Sequence, residues 1–188
     1  MLKDLKKCLR SENKDKTIFD IVIFGSLVKG KEQVRDIDIL IIFLQGPLNE
    51  RLNKIQRIKS RLRRIIKDKN IDIKQILIQE LFSSSFFART GIFLEGISVF
   101  KDHKFSETLG FKAFALFWYN LNGLTHTQKV KFNYILSGRG YKGIINELNG
   151  QRLVNGAIKI PIENSIIFEK ILKDNKVNYS KKNILEEM

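Results

Sequence analysis

Apolar residues follow two different periods along the first hundred residues of the chain. In four segments they alternate with polar residues or form short continuous runs, which is typical of strands. These segments cover residues 17–24, 36–44, 70–78 and 96–100. In residues 2–10 and 49–67 the apolar positions recur every three or four residues, which predicts amphipathic helices. The pattern therefore predicts a sheet that is flanked by helices.

A charged break at residues 101–104 separates this region from the rest of the chain. We take it as a boundary between a domain at 1–104 and a second domain at 105–188. The second domain is expected to have helices at 105–122, 127–136 and 163–174, a short helix ending at Asn149-Gly150, and strands at 157–162 and 177–185. The fold class is then α+β, with a mixed, mostly antiparallel first sheet flanked by helices and a small α+β module that follows it in the chain.

The segment 105–122 is strongly aromatic. Its rings are those of Phe111, Phe114, Phe117, Trp118 and Tyr119. Base-stacking platforms need exposed rings beside basic residues, whereas aromatic residues at helical spacing usually belong to a core. We therefore interpret this aromatic helix as core or domain interface.

Carboxylates interrupt two of the predicted strands. Asp36 and Asp38 alternate with isoleucines, so both lie on one face of their strand, and Asp72 stands between isoleucines in the next one. A lone carboxylate in such a setting is costly to bury unless a cation or hydrogen bonds compensate it. Either these acids lie at exposed edge positions, or they compensate one another by holding a hard cation.

A glycine-containing turn links the first two predicted strands. Gly25-Ser26 ends the first apolar run, and Gly30 follows shortly before Asp36. Backbone N–H groups in such a turn form a cradle for phosphate oxygens. The turn and the acids together suggest a site for a phosphate compound and a metal ion.

The chain is strongly basic. It has 34 Lys and Arg against 20 Asp and Glu, a formal net charge of +14 that is spread over both halves. A basic surface favours a polyanionic partner such as RNA, or a triphosphate substrate, but a Lys- and Ile-rich composition gives the same charge. The helix at 49–67 is especially basic, and we leave open whether this face is simply solvated or contacts a partner.

Several other classes of protein are poorly supported. Cys8 is the only cysteine and cannot form an internal disulfide, and His103 and His126 have no companions at zinc-ligand spacing. Ser26 lacks the sequence context of a hydrolase nucleophile. No apolar run reaches the ~20 residues of a membrane span, so we expect a cytoplasmic protein without a membrane partner or disulfides.

The segment 138–143, Gly-Arg-Gly-Tyr-Lys-Gly, offers a second candidate loop. Its glycines permit close backbone approach, and Arg139 and Lys142 can meet phosphate. The same sequence is also typical of a helix C-terminus followed by a basic turn. Both interpretations stay open at the level of the sequence.

Taken in order, Gly25-Ser26, Gly30, the Asp36-x-Asp38 strand and the later Asp72 resemble the signature of the nucleotidyltransferase superfamily. That superfamily includes DNA polymerase beta, CCA-adding enzymes, kanamycin nucleotidyltransferase and the minimal nucleotidyltransferases of prokaryotes, and the short catalytic region is most similar to the last of these. The resemblance covers roughly residues 17 to 100.

The resemblance implies a role for each of these residues. Asp36 and Asp38 would hold two Mg²⁺ ions, and Asp72 would ligate the ion nearer the attacking group and act as a base. Gly25 and Ser26, with Gly30 in the same turn, would bind the phosphates of the nucleotide.

The expected function is that of an Mg²⁺-dependent enzyme that moves a nucleoside monophosphate from an NTP, ATP among the candidates, to an acceptor hydroxyl on RNA or protein. Pyrophosphate would be released. One alternative is a catalytically silent, basic module that binds RNA or protein. Another is an antitoxin-type protein adenylyltransferase that modifies a tyrosine of its toxin.

Overall fold

The computed structural model describes residues 2–28, 34 and 36–188. The chain divides into two compact units, Met1–Gly110 and Phe111–Met188. The predicted division after residue 104 precedes this one by a single short helix. Each unit has its own sheet and its own helices, and each is described by itself below.

The first unit contains one four-stranded sheet. Its elements in chain order are α1 (Leu2–Leu9), β1 (Ile18–Phe24), β2 (Asp36–Phe43), α2 (Leu48–Ile65), β3 (Asn70–Leu77), α3 (Arg89–Glu95), β4 (Ile97–Ser98) and α4 (Phe105–Thr108). The strand order is β3-β2-β1-β4. Strand β2 runs parallel to β3, whereas β1 is antiparallel to both β2 and β4.

The two faces of this sheet are covered by different helices. On one face, which we call the α2 face, Ile37, Ile39, Ile41 and Phe43 pack into a core with α1 and α2. On the other, the α3 face, apolar side chains of β1, β2 and β3 pack into a second core with α3 and α4. Because side chains alternate along a strand, the even-numbered residues of β2 belong to the α3 face.

Helix α2 determines how β2 and β3 pair. Its residues Ile55, Ile58 and Leu62 are buried at three- and four-residue spacing, so one side of the helix lies on the α2 face. A strand, a helix on one face and a second strand form a crossover, and such a connection makes the two strands parallel. The amino-terminal ends of β2 and β3 therefore lie at the same edge of the sheet.

The second unit contains a separate sheet. Its elements are β5 (Phe111–Asn120), α5 (His126–Ser137), α6 (Ile144–Glu147), β6 (Gln151–Val154), β7 (Ala157–Pro161), α7 (Ser165–Asp174) and β8 (Asn178–Glu187). The strand order is β6-β7-β5-β8, with antiparallel pairing throughout. The α+β class predicted from the sequence is confirmed in both units.

The helix predicted at 105–122 is wrong. The structure has the short helix α4 and then the ten-residue strand β5. Phe111, Phe114 and Phe117 are three positions apart and Trp118 follows Phe114 by four, which imitates a helix, but the positions between them are largely apolar too. Aromatic side chains pack well on a pleated sheet, and here pairing with two neighbouring strands prevails over the apparent helical spacing.

Glycine and threonine set the two ends of α5. Thr125 accepts a hydrogen bond from the Gln128 backbone N–H, and the Gln128 side chain accepts one from the Thr125 N–H, a reciprocal capping box. At the other end Gly138 has φ +80° and donates its N–H to the Tyr134 carbonyl. The loop 138–143 therefore begins as the C-terminal turn of α5, and the Arg139 guanidinium lies 5.0 Å from the centre of the Tyr134 ring.

Among the described residues, no helix is both long enough and apolar enough to cross a membrane.

Candidate functional site

Three strand ends meet at one edge of the first sheet. Phe24, the last residue of β1, pairs with Asp38 of β2, and Asp38 pairs with Asp72 of β3. Residues that pair across neighbouring strands point to the same face, so Asp38 and Asp72 are side by side on the α3 face. Asp36, two positions earlier on β2, belongs to that face as well. Three carboxylates thus share one face at one edge of the sheet.

The environment of Asp38 raises the pKa of its carboxyl. Burial is the main cause, and the neighbouring negative charges of Asp72 and Asp36 add to it, while Lys74 opposes them. Asp36 is exposed and Asp38 is half-buried, and the Asp72 side chain is 48% exposed. The site therefore concentrates negative charge around the half-buried Asp38 carboxylate.

Gly25 makes room for the Asp38 carboxylate. It has φ +77°, and a methyl group on its Cα would overlap Asp38 Oδ2. Both the backbone conformation and the close approach therefore require glycine at this position. Gly25 also begins the 3-10 turn Gly25–Leu27, in which Ser26 is half-buried. The predicted phosphate turn is thus in contact with the predicted metal-binding strand.

Gly30 lies outside the described residues. The parts of the predicted turn that the structure places beside the carboxylates are Gly25 and Ser26.

Lys74 belongs to the same face, and the sequence reasoning missed it. It follows Asp72 by two positions on β3, and its Nζ lies 3.8 Å from Asp72 Oδ2. The two side chains are about half-exposed, so water screens their attraction. The signal for Lys74 in the sequence was its alternation with Asp72, the same period that linked Asp36 to Asp38.

The donors at this edge are suited to a divalent, oxygen-seeking cation. Three carboxylates on one face are the ligands that Mg²⁺ prefers, and the Gly25 turn lies in contact with one of them. Within the described residues, no three acidic, histidine or cysteine side chains meet at metal-binding distance. The side chains as they stand are therefore aligned on one face without converging on one point.

Several basic side chains of α2 are bonded within the first unit and are not available to a partner. Arg51 is buried, donates a hydrogen bond to Gln75 Oε1 and lies 6.0 Å from the Phe43 ring centre. Lys54 pairs with Asp15, and Arg61 pairs with Glu12. These three cations are held by the first unit itself. The exposed cations of the helix include Arg57, Arg63 and Arg64.

Asp20 is a fourth carboxylate on the α3 face, and the sequence reasoning missed it too. It lies on β1 opposite Ile42, four residues along the strands from the Phe24–Asp38 pair. Asp20 is 1% exposed. Its Oδ1 accepts the Ile21 N–H at 2.7 Å, whereas Oδ2 has no hydrogen-bond partner among the described residues. Burial raises the pKa of Asp20 against smaller opposing effects of the Ser98 hydroxyl, two backbone amides and Lys101.

We expect Asp20→Asn to stabilise the protein at neutral pH. A carboxyl whose pKa is raised on folding contributes stability below its unfolded pKa and loses it as the pH rises through the folded pKa. The neutral amide avoids the cost of the buried charge, so the free energy of unfolding should rise by about 1–3 kcal/mol at pH 7. The gain should vanish towards pH 3, which urea denaturation at several pH values would measure.

Asp102→Asn provides a control of opposite sign. Lys6 and Arg10 hold the pKa of Asp102 below its usual range, so this carboxylate stabilises the fold above its unfolded pKa. The control variant should lose stability at pH 7 and match the wild type at low pH. A gain from Asp20→Asn that did not depend on pH would contradict the assignment of a buried charge to Asp20.

The chain matches the family model described as polymerase beta, nucleotidyltransferase, over residues 3–102. The match covers more than half of the chain and includes β1, the Gly25 turn, the acidic strand β2 and β3. A comparison with curated proteins found no match. The Gly-Ser turn, the Asp36-x-Asp38 strand and the later Asp72 are the residues that carry the resemblance, and the match extends over all of them. The chain therefore belongs to the polymerase beta nucleotidyltransferase family.

Proposed function

We propose that the protein transfers a nucleoside monophosphate from an NTP to an acceptor hydroxyl and releases pyrophosphate. The observation that carries the proposal is the pairing of Asp38 with Asp72 beside the Gly25 turn, in a chain of the nucleotidyltransferase family. The acids provide ligands for divalent cations, and the turn provides backbone donors for phosphate oxygens.

Asp36 and Asp38 together would hold two Mg²⁺ ions, and Asp72 would also bind the ion nearer the acceptor. Bound there, the ions would supply Lewis-acid activation of the acceptor hydroxyl and neutralise charge on the leaving pyrophosphate. The raised pKa of Asp38 supports this assignment, because a carboxylate that is surrounded by like charges gains from a nearby cation.

The remaining work falls to residues of the chain. Gly25 and Ser26 would orient the β- and γ-phosphates, so that the acceptor oxygen faces the α-phosphorus opposite the bond to be broken. The Asp72 carboxylate, being half-exposed, can accept the proton of the attacking hydroxyl. A bond forms between the acceptor oxygen and the α-phosphorus, the bond to the bridging oxygen breaks, and pyrophosphate leaves with that electron pair.

RNA is the acceptor that the charge of the protein favours. A net charge of +14 attracts a polyanion at long range, whereas a folded protein acceptor needs a specific complementary patch. A tyrosine hydroxyl of a partner protein, as in antitoxin-type adenylyltransferases, is chemically equivalent at the site itself. The choice between them is therefore an experimental one.

The test supplies the purified protein with Mg²⁺ and each of the four NTPs, labelled at the α-phosphate, in turn. One arm adds cellular RNA, and a second adds cellular protein that has been freed of nucleic acid. We expect pyrophosphate release in the first arm and transfer of the label to the RNA. Labelled protein would identify the adenylyltransferase alternative.

A silent module would give a third result. Binding of RNA with no label transferred and no pyrophosphate released, in either arm and with every NTP, would contradict the proposed transfer. Omitting Mg²⁺ and adding EDTA provides the matched blank, because transfer that persisted there would contradict the metal assignment.

A further inference from the structure

Strand β5 presents two different faces. Its odd-numbered side chains contact the helices of the second unit, since Phe117 packs against Phe168 of α7 and Tyr119 against Phe132 of α5. On the neighbouring strand β8, Tyr179 and Lys181, also odd-numbered, bond to Glu169 of α7. Because these strands pair in register, the even-numbered residues of both belong to the opposite face.

That opposite face, which we call the open face, carries aromatic and aliphatic side chains in a row. Trp118 is 43% exposed, and Phe114 and Leu116 are partly exposed beside it. Ile184 of β8 pairs with Phe114 and widens the row. Phe114 is partly covered and has the Lys159 ammonium over its ring, so Trp118 is the ring of the row that can receive a base.

Cations and amides surround the row. Lys112 and Lys182 are exposed on the open face, where Lys182 pairs with Leu116. Lys159 Nζ lies 4.7 Å from the Phe114 ring centre and 2.7 Å from both Glu186 oxygens, so it neutralises the Glu186 carboxylate, which also pairs across the strands with Lys112. Around the edge are the hydrogen-bonding side chains of Asn120, Gln151, Asn178 and Ser180.

We propose that the open face binds single-stranded RNA, with a base stacked on Trp118 and phosphates held by Lys112 and Lys182. An exposed ring beside exposed lysines is the combination that a stacking platform requires. The second unit has 12 basic and 6 acidic residues, a net charge of +6, which suits a polyanion and opposes association of two copies through this face. The choice of RNA as the polyanion rests on the proposed function.

Trp118 also provides the measurement, because it is the only tryptophan of the chain. Titration of the full-length protein with a 12-nucleotide oligouridylate, without NTP and without Mg²⁺, should quench tryptophan fluorescence as bases stack on the ring. Double-stranded RNA hides its base faces and should quench little. Anisotropy of a labelled oligouridylate would give the dissociation constant for variants that lack the tryptophan.

Matched variants separate stacking from general charge. Trp118→Ala should weaken binding roughly five- to a hundredfold. Phe111→Ala, which removes a 37% exposed ring from the other face of β5, should leave binding unchanged. Lys182→Gln should weaken binding, and the dependence of the binding constant on salt should fall by about one phosphate contact. Lys170→Gln on α7 removes the same charge elsewhere and should change neither.

Three results would overturn this inference. They are binding without quenching, equal affinities of Trp118→Ala and Phe111→Ala, and emission that changes with protein concentration alone, which would show that a second copy covers the face. Neither nucleotide nor metal is present, so a protein that transfers label but fails this test would contradict the RNA platform and leave the proposed transfer intact.

Discussion

Replacing Asp36 and Asp38 together by alanine is expected to abolish nucleotidyl transfer. The change removes two of the three carboxylates on the α3 face, including the one that pairs with Asp72. Without them the proposed metal ions would lose two of their three carboxylate ligands, and we expect pyrophosphate release to fall by roughly a thousandfold or more. Transfer of the α-phosphate label to the acceptor, together with an enzymatic assay of released pyrophosphate, measures the effect.

Neutralising Asp38 should raise the stability of the protein and lower its activity. Burial and two like charges raise the pKa of Asp38, so Asp38→Asn removes an unfavourable charge and should raise the melting temperature of the metal-free protein while it eliminates transfer. Asp20→Asn is the matched control, because it neutralises another acid of the same sheet face away from this edge. Transfer that survived the double alanine change would contradict the metal assignment, and loss of activity in the control would contradict its location.

Replacing Gly25 by alanine should have the next largest effect. The left-handed backbone at φ +77° costs a residue with a side chain about 1–2 kcal/mol. In addition, the new methyl group would overlap Asp38 Oδ2, so either the turn or the carboxylate has to move. We expect a fall in the free energy of unfolding together with at least a hundredfold loss of transfer, since a displacement of about 1 Å at a reacting site has that consequence.

Gly123→Ala separates the two causes. Gly123 has φ +82°, and a methyl group there would have no neighbour within 4 Å. This variant carries the backbone cost alone, so it should lose stability by a similar 1–2 kcal/mol or so and keep full activity. Urea denaturation and the pyrophosphate assay should be applied to both variants. Equal activity of the two would show that the contact between Gly25 and Asp38 is irrelevant to transfer.

Much of the first unit could be predicted because its local and long-range signals agree. The period of two in β2 fixes the face that Asp36 and Asp38 share, and the helical period of α2 supplies the crossover to β3. What the pattern does not contain is the register between β2 and β3. That register places Asp72 opposite Asp38 and brings Lys74 beside it, and it depends on packing across the whole sheet.

The second unit was harder to predict for a physical reason. In β5 apolar residues occupy consecutive positions, so neither a period of two nor a period of 3.6 is distinct. The rings of Phe117 and Tyr119 are needed on the helix side, and those of Phe114 and Trp118 remain on the open face. Only strand pairing reveals this division, and with it the surface that we propose for RNA.

The burial of Asp20 could not be predicted from the sequence. A single aspartate in an apolar strand gives the same signal as Asp72, but it carries no partner in the sequence that would indicate its depth. The structure buries it almost completely on β1, where burial raises the pKa of its carboxyl.

The position of β5 inside its sheet also affects how the second unit acquires its structure. Both neighbours of β5 come later in the chain, and β8 arrives only after three helices and two other strands have been made. Until then the longest aromatic strand of the unit has unpaired backbone groups, a condition that favours association with other unfinished chains. Slow, nonlocal pairing of this kind makes the yield of soluble protein sensitive to temperature and rate of synthesis.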